Sequence, residues 1–166
     1  MDYYRGHLSK QMEEESTSLS AFKNSPRPSS KHTTYFSVYD HLFRSYRGKK
    51  ITLVEVGILN GGSLFMWREF FGPDARIIGV DLNPEVVKFR EYGFEIFVGS
   101  QSDPNFWKEV TREIGSIDIL IDDGGHNYIQ QIVTAECTLE NISDGGLLIV
   151  EDTHTSYLEG FGTASL

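Results

Sequence analysis

Ile117-Asp118-Ile119-Leu120-Ile121-Asp122-Asp123-Gly124-Gly125-His126 decides how this chain is read: an apolar β-type run breaks abruptly into carboxylates, glycines and a histidine. A second stretch repeats the pattern, where Gly146-Leu147-Leu148-Ile149-Val150 runs straight into Glu151-Asp152-Thr153-His154. As neighbouring parallel strands, the two runs deliver both clusters to the carboxyl edge of one sheet, where open α/β folds bind their ligands. Three carboxylates and an imidazole then face one pocket. Grouped carboxylates repel unless something positive sits between them, and hard oxygen ligands suit Mg²⁺, Mn²⁺ or Ca²⁺ better than Zn²⁺. The pattern points to metal-assisted chemistry.

Working outward, strand-like and helix-like segments alternate. Strands are predicted at Ile51 to Val56, Arg76 to Val80, Phe94 to Val98, Ile117 to Ile121 and Leu147 to Val150. Helices are predicted at Leu64 to Phe71, Pro84 to Glu91, Pro104 to Ile114 and Tyr128 to Leu139. Ser63, Asn83 and Asp103 can cap helix amino termini, and Pro84 and Pro104 stand at first-turn positions that tolerate proline. Such alternation implies an α/β chain with a Rossmann-like, doubly wound parallel sheet. The sequence stops at Leu166, soon after the fifth strand, so the sheet reads as truncated there unless the chain is a short example of its kind. An exposed fifth-strand edge would favour a homo-oligomer. A short helical pattern from Tyr35 (Phe36, Tyr39, Leu42, Phe43, Tyr46) precedes the first strand. Residues 1–34 are polar and serine-rich without sustained periodicity, and read as a flexible arm or lid ahead of a domain at 35–166.

Composition narrows the function. At 166 residues the chain can bury a core as one domain, and its formal charge of −9 argues against nucleic acid or an anionic membrane as partner. Its single cysteine excludes an internal disulfide, and no apolar run approaches the roughly 18 residues that span a bilayer. The first residues lack an apolar signal core, so a cytoplasmic location is expected.

The turn after the first strand, Glu55-Val56-Gly57-Ile58-Leu59-Asn60-Gly61-Gly62-Ser63, lets the backbone bend tightly and approach a ligand. A dinucleotide fingerprint would read Gly-x-Gly-x-x-Gly, whereas here three residues separate Gly57 from Gly61 and a carboxylate precedes the loop. That spacing resembles the first motif of class I S-adenosylmethionine-dependent methyltransferases. Asp81 ends the second strand where a carboxylate can accept two vicinal ribose hydroxyls, and Gly99-Ser100-Gln101-Ser102-Asp103 ends the third, where an amide and hydroxyls could hold an adenine edge.

Asp123-Gly124-Gly125-His126 with Glu151-Asp152-Thr153-His154-Thr155-Ser156-Tyr157, downstream of that loop, resembles the metal-dependent sugar O-methyltransferases of macrolide biosynthesis (mycinamicin and macrocin types). Cephalosporin-hydroxylase-like proteins share much of the pattern. The resemblance runs from about Lys31 to Gly162. It implies S-adenosylmethionine and Mg²⁺ (or Mn²⁺) as cofactors, Asp123, Glu151 and Asp152 as metal ligands, and His126 as general base, with Asp122 turned to the cofactor. Glu55, Gly57, Asn60, Gly61, Gly62, Ser63, Asp81, Gln101 and Ser102 complete the expected cofactor site. The implied reaction is methylation of a small-molecule hydroxyl, on a sugar or glycoside: the cation lowers the pKa of the coordinated oxygen, and His126 accepts the proton. Two other readings use the same sheet. One is a cofactor-binding module without turnover. The other is a nicotinamide-dependent dehydrogenase, which the loop spacing disfavours and which leaves Glu151 and Asp152 without a task.

Overall fold

The computed structural model describes residues 17–158. Helix α1 (Thr17–Asn24) and helix α2 (Tyr35–Phe43) lead into strand β1 (Thr52–Val56). From there the chain alternates: α3 (Gly62–Phe71), β2 (Arg76–Asp81), a 3₁₀ segment (Pro84–Tyr92), β3 (Glu95–Val98), α4 (Pro104–Ile114), β4 (Ile117–Asp122), α5 (Tyr128–Thr138) and β5 (Ile142–Val150). A last 3₁₀ turn covers Thr153–Tyr157. The five strands form one parallel sheet in the order β3-β2-β1-β4-β5. The doubly wound α/β architecture expected from the alternation is therefore present. Its switch point lies between β1 and β4, where chain direction along the sheet reverses and a crevice opens at the carboxyl ends.

Strand periodicity sorts the core into two layers. Leu53, Ile77, Ile119 and Ile121 pack with α2 and α3, whereas Val54, Val56, Ile78, Val80 and Leu120 pack with α4. Each buried Leu, Ile or Phe side chain stabilises by roughly 1.5–3 kcal/mol. With Phe36, Tyr39 and Phe43 all buried, α2 is held by this packing, since nine residues are too few for a stable isolated helix. Tyr39 stacks on Phe43 and meets Trp67 edge-on, which fixes α2 against α3.

Several elements depart from the sequence pattern. Within the stretch read as a polar arm, residues 17–24 form α1; Asp40 on α2 accepts from Thr17 N (3.0 Å) and Ser18 N (2.9 Å), and Ala21 is buried. Residues 1–16 lie outside the described residues. The stretch from Pro84 is wound as 3₁₀ instead of α-helix, entered through Asn83, whose side chain accepts from Glu85 N. Strand β5 begins five residues earlier than its apolar run, at Ile142 instead of Leu147, and its pairing with β4 is irregular near Ile117. No described helix is long and apolar enough to cross a membrane.

Candidate functional site at the carboxyl edge of the sheet

Register brings the two acidic clusters level. Asp122 pairs with Val56 on one side and Val150 on the other, so Gly57, Asp123 and Glu151 leave the sheet at the same height. The ladder continues one step beyond the strands: Gly57 N donates to Val80 O (2.8 Å), Asp123 N to Val56 O (3.0 Å) and Glu151 N to Asp122 O (2.9 Å). Beyond that step the loops bend sharply. Leu59 (φ +43°), His126 (φ +53°) and Asp152 (φ +52°) are the non-glycine residues with left-handed backbone among the described ones, and all three sit at this edge. Such conformations cost on the order of 1–3 kcal/mol each, and strain gathered at one edge marks a functional site.

Gly57 (φ +82°) lies directly on the acidic loop. A Cβ there would fall 2.6 Å from Gly124 Cα and closer still to the Asp123 carbonyl, so only glycine fits. Asp81 fastens the rest of the glycine loop: its Oδ2 accepts from Ile58 N (3.0 Å) and Leu59 N (3.1 Å), and its Oδ1 from Asn83 N (2.9 Å). A carboxylate offers about four lone-pair sites, which leaves capacity for a ligand hydroxyl.

A cavity of about 440 Å³ opens between these loops, within the size range of small-molecule sites. Its wall comes from the glycine loop, from Asp81 and Leu82, from Gly99-Ser100-Gln101, from Asp123 to His126, and from Gln130 and Asp152, with Ser29 and Ser30 contributed from the segment before α2. Gln101 braces the acidic loop: its amide nitrogen donates to both oxygens of buried Asp122 (3.0 and 3.1 Å), and its oxygen accepts from Gly125 N (2.8 Å). Burial pushes the Asp122 carboxyl above its ordinary pKa, against the pull of that Gln101 bond.

Asp123, His126 and Asp152 each offer an atom within 4.8 Å of the others. His126 Nε2 stands 3.6 Å from Asp152 Oδ2 and 3.9 Å from Asp123 Oδ1, and His126 Nδ1 is buried with no partner. Two hard carboxylate oxygens and an imidazole at this spacing fit a divalent cation such as Mg²⁺ or Mn²⁺. Thr155 Oγ1 lies within hydrogen-bond distance of the His126 carbonyl (2.7 Å) and the Asp152 carbonyl (2.8 Å), tying the two acidic loops together. Tyr35 donates to Asp152 Oδ1 (2.7 Å).

Glu151 turns the other way. Its carboxylate takes the Tyr39 hydroxyl and the ammonium of Lys31, 3.2 Å from Oε2. Lys31 also meets Asp123 Oδ2 (2.7 Å) and Glu55 Oε1 (3.2 Å), while Glu55 Oε2 accepts from Ser63 (2.6 Å). Burial alone would lower the Lys31 pKa, but the carboxylates of Glu55, Glu151 and Asp123 outweigh it and hold the group above its ordinary value. Burial pushes Glu151 up to about 7 against the opposing charge of Lys31. Burial likewise raises Glu55, and it raises Tyr39 with the help of the Glu151 charge.

The chain is 38% identical over 136 residues to the 8-demethyl-8-alpha-L-rhamnosyl tetracenomycin-C 2'-O-methyltransferase of Streptomyces olivaceus, an alignment that covers 77% of this chain and 35% of that protein. It is 34% identical over 131 residues to the mycinamicin VI 2''-O-methyltransferase of Micromonospora griseorubida, covering 75% of this chain and 32% of the relative. The solved MycE methyltransferase of the mycinamycin pathway, in complex with Mg and SAH, superposes with a TM-score of 0.77 at 31% identity, covering 89% of this chain and 41% of that one. The chain is a homologue of the macrolide sugar O-methyltransferases and has the class I S-adenosylmethionine-dependent methyltransferase fold. No family model matches. The chain spans about a third of the length of the curated relatives it matches.

Within this methyltransferase fold, the structure gathers only part of the predicted site. Gly57, Ser63, Asp81, Gln101, Asp123, His126 and Asp152 line the cavity. Glu55, Asn60, Gly61, Gly62, Ser102 and Asp122 do not. Glu55 is fully buried and spent on Lys31 and Ser63; Asp122 is spent on Gln101; Gly61 and Gly62 are needed for packing, under Phe89 and the carbonyls of Arg27 and Pro28. Glu151, expected beside Asp123 and Asp152 as a ligand, is absent from the three-residue group. Lys31, Tyr35 and Tyr39 were not read as site residues from the sequence, and Thr155 was read only as part of the second acidic motif. Their charge and hydroxyls gave a signal only in type, because nothing in the spacing announces that residues 31–39 return to a sheet edge more than 80 positions later.

Proposed function

We propose that this chain binds S-adenosylmethionine in the cavity and uses it, with a divalent metal, to methylate a hydroxyl of a sugar or glycosylated metabolite. One observation carries the reading: two carboxylates and a histidine converge within 4.8 Å on the wall of the cavity that the glycine loop also lines. The sugar and macrolide-glycoside substrates in the relatives' names, and the Mg and SAH bound by MycE, support the same assignment. Gly57, Ser63, Asp81 and Gln101 would meet the cofactor, and Asp123 and Asp152 would hold the ion. The cation would supply the positive charge that lowers the pKa of an acceptor hydroxyl. His126 Nε2, beside both carboxylates, is placed to take the hydroxyl proton. Tyr35 and Thr155 keep Asp152 and His126 in position. Ser29 and Ser30 on the cavity wall help exclude water, which would otherwise stabilise the charged reactants. A cytoplasmic location and residues 1–34 acting as a lid belong to the same reading.

A cofactor-binding module without turnover is the second reading, since the chain spans only about a third of its curated relatives. Calorimetry with S-adenosylhomocysteine and with NAD, each with and without Mg²⁺, combined with labelled-methyl transfer to rhamnosyl and macrolide glycosides, tests both. Transfer that stops in EDTA supports the enzyme. Binding of S-adenosylhomocysteine without transfer to any glycoside supports the module, and binding of NAD alone overturns both.

A further inference from the structure

Residues 25–31 cross the glycine loop as a strap fastened by side chains. Residues 26–31 make no backbone-to-backbone hydrogen bond with the described residues. Pro26 and Pro28 have no N–H to give, and each biases the residue before it toward extended backbone, so Ser25-Pro26-Arg27-Pro28 is stiff. At one end Ser25 Oγ donates to Gly62 O (2.8 Å), and a Cβ on Gly62 would lie 2.6 Å from the carbonyl oxygens of Arg27 and Pro28. At the other end the buried Lys31 ammonium meets Asp123 Oδ2 (2.7 Å) and Glu55 Oε1 (3.2 Å). Between these anchors Ser29 and Ser30 stand on the cavity wall.

Arg27 completes the first anchor. Its guanidinium lies over the rings of Phe89 (5.2 Å to the centroid) and Tyr92 (5.3 Å), and Nη2 donates to the Tyr92 hydroxyl (3.0 Å). Phe89 in turn rests on the glycine loop, since a Cβ on Gly61 would fall 2.6 Å from its ring. The 3₁₀ segment therefore grips Gly61, the strap grips Gly62, and Arg27 joins the two. Arg27 itself does not line the cavity. Resting on the assignment of S-adenosylmethionine to that cavity, we propose that Arg27 is a positioning residue for the cofactor: stacked on Phe89 and Tyr92, it latches the strap across the glycine loop so that Ser29 and Ser30 close over the bound cofactor and slow its release. Two cation–aromatic contacts and one hydrogen bond at a half-buried position favour the latched strap by about tenfold or more. Affinity falls in proportion as the latched form is lost.

Binding of S-adenosylhomocysteine to the full chain, by calorimetry and by stopped-flow displacement, tests this on the wild type, R27M, Y92F, R47M and D81N. Arg47 is the matched control: its guanidinium lies 5.0 Å from the Phe70 centroid and its Nε donates to Phe70 O (3.2 Å), near the end of α3 remote from the glycine loop. The expected pattern is binding about tenfold weaker, with a matching rise in dissociation rate, in R27M; about threefold weaker in Y92F, which keeps the ring and loses the hydroxyl; and a change below about twofold in R47M. The R27M/Y92F double variant should bind about as R27M does, because both changes cut one latch. Amide hydrogen exchange at residues 29–31 without ligand supplies a second readout, expected to quicken about tenfold in R27M and to stay unchanged in R47M. Wild-type binding in R27M, an equal loss in R47M, multiplicative losses in the double variant, or unchanged exchange at 29–31 in R27M each overturn the latch. If wild type and D81N bind S-adenosylhomocysteine equally weakly, the cofactor assignment fails and the latch falls with it; marked weakening in D81N beside unchanged R27M overturns the latch alone.

Discussion

Replacing Gly57 by alanine tests the contact on which the site's geometry depends. The residue sits at φ +82°, a conformation that costs an alanine about 1–2 kcal/mol. The added methyl would also meet Gly124 Cα at 2.6 Å and the Asp123 carbonyl more closely still. Both are backbone atoms, so no rotamer change relieves the clash, and overpacking of this kind costs a further 1–3 kcal/mol or so. The two terms together come to about 3 kcal/mol. For a domain of this size, each kcal/mol shifts the melting temperature by roughly 2–4 °C, so G57A is expected to melt about 6–12 °C below wild type. The clash must be relieved by moving the loop at 123–124, which carries Asp123 and leads to His126. Affinity for S-adenosylhomocysteine and for Mn²⁺ should therefore fall together, each by tenfold or more. Differential scanning fluorimetry and calorimetry measure both effects. A variant that melts within 2 °C of wild type, or that loses cofactor binding while holding Mn²⁺ normally, would refute the claim that the glycine loop and the acidic loop are one packed unit.

Three further outcomes follow from individual contacts. Gln101→Leu removes the donor shared by both Asp122 oxygens and the acceptor of Gly125 N, leaving buried polar groups unpaired, and is expected to cost about 2–4 kcal/mol in urea denaturation; a loss under 1 kcal/mol would count against the bracing role. Thr155→Val cuts the tie between the His126 and Asp152 carbonyls; a stability loss of about 1 kcal/mol with a tenfold or greater drop in Mn²⁺ affinity is expected, and unchanged metal affinity would contradict it. In EDTA, Glu151, pushed from 4.5 to about 7, keeps in the folded state a proton that the unfolded chain releases. Its contribution is fully present below pH 4.5 and lost as pH rises through 7, a fall of about 1.4 kcal/mol per unit in between. Wild-type stability should therefore decline from pH 5 to 7.5 while E151Q stays flatter, and parallel profiles would dismiss Glu151 as the titrating group.

Fold and site were legible in the sequence to different depths. The sheet was readable because short apolar runs such as Ile117 to Ile121 and Leu147 to Val150, each followed at once by a polar turn and alternating with helical patterns, fit the strands of a parallel sheet, and caps such as Asp103, whose side chain accepts from Asn105 N, fix where helices begin. Register explains why two clusters 28 positions apart, at Asp123 and Glu151, were rightly placed on one edge: parallel pairing of Asp122 with Val150 leaves no other outcome. Secondary structure without strong periodicity was not readable. The helix at Thr17–Asn24 buries little beyond Ser18 and Ala21, and its anchoring comes from Asp40, 22 and 23 residues away.

Division of labour among the carboxylates could not be read from residue type, because Glu55, Asp122, Asp123, Glu151 and Asp152 look alike in a sequence. Each is distinguished by the donor that reaches it. Asp122 meets an amide, Glu55 and Glu151 meet a buried ammonium, and Asp152 meets the hydroxyl of Tyr35. Adjacent residues diverge for the same reason: Glu151 still belongs to the end of the ladder and points to α2, whereas the left-handed turn at Asp152 swings its carboxylate toward His126. All three donors named here, on Gln101, Lys31 and Tyr35, come from segments that precede both acidic clusters in the chain. Metal affinity is then a property of the segment at 25–39 as much as of the two acidic motifs, and exchanging that segment between homologues should move Mn²⁺ affinity while leaving Asp123, His126 and Asp152 untouched. A chimera whose affinity follows the acidic motifs alone would show that Lys31 and Tyr35 merely fill space.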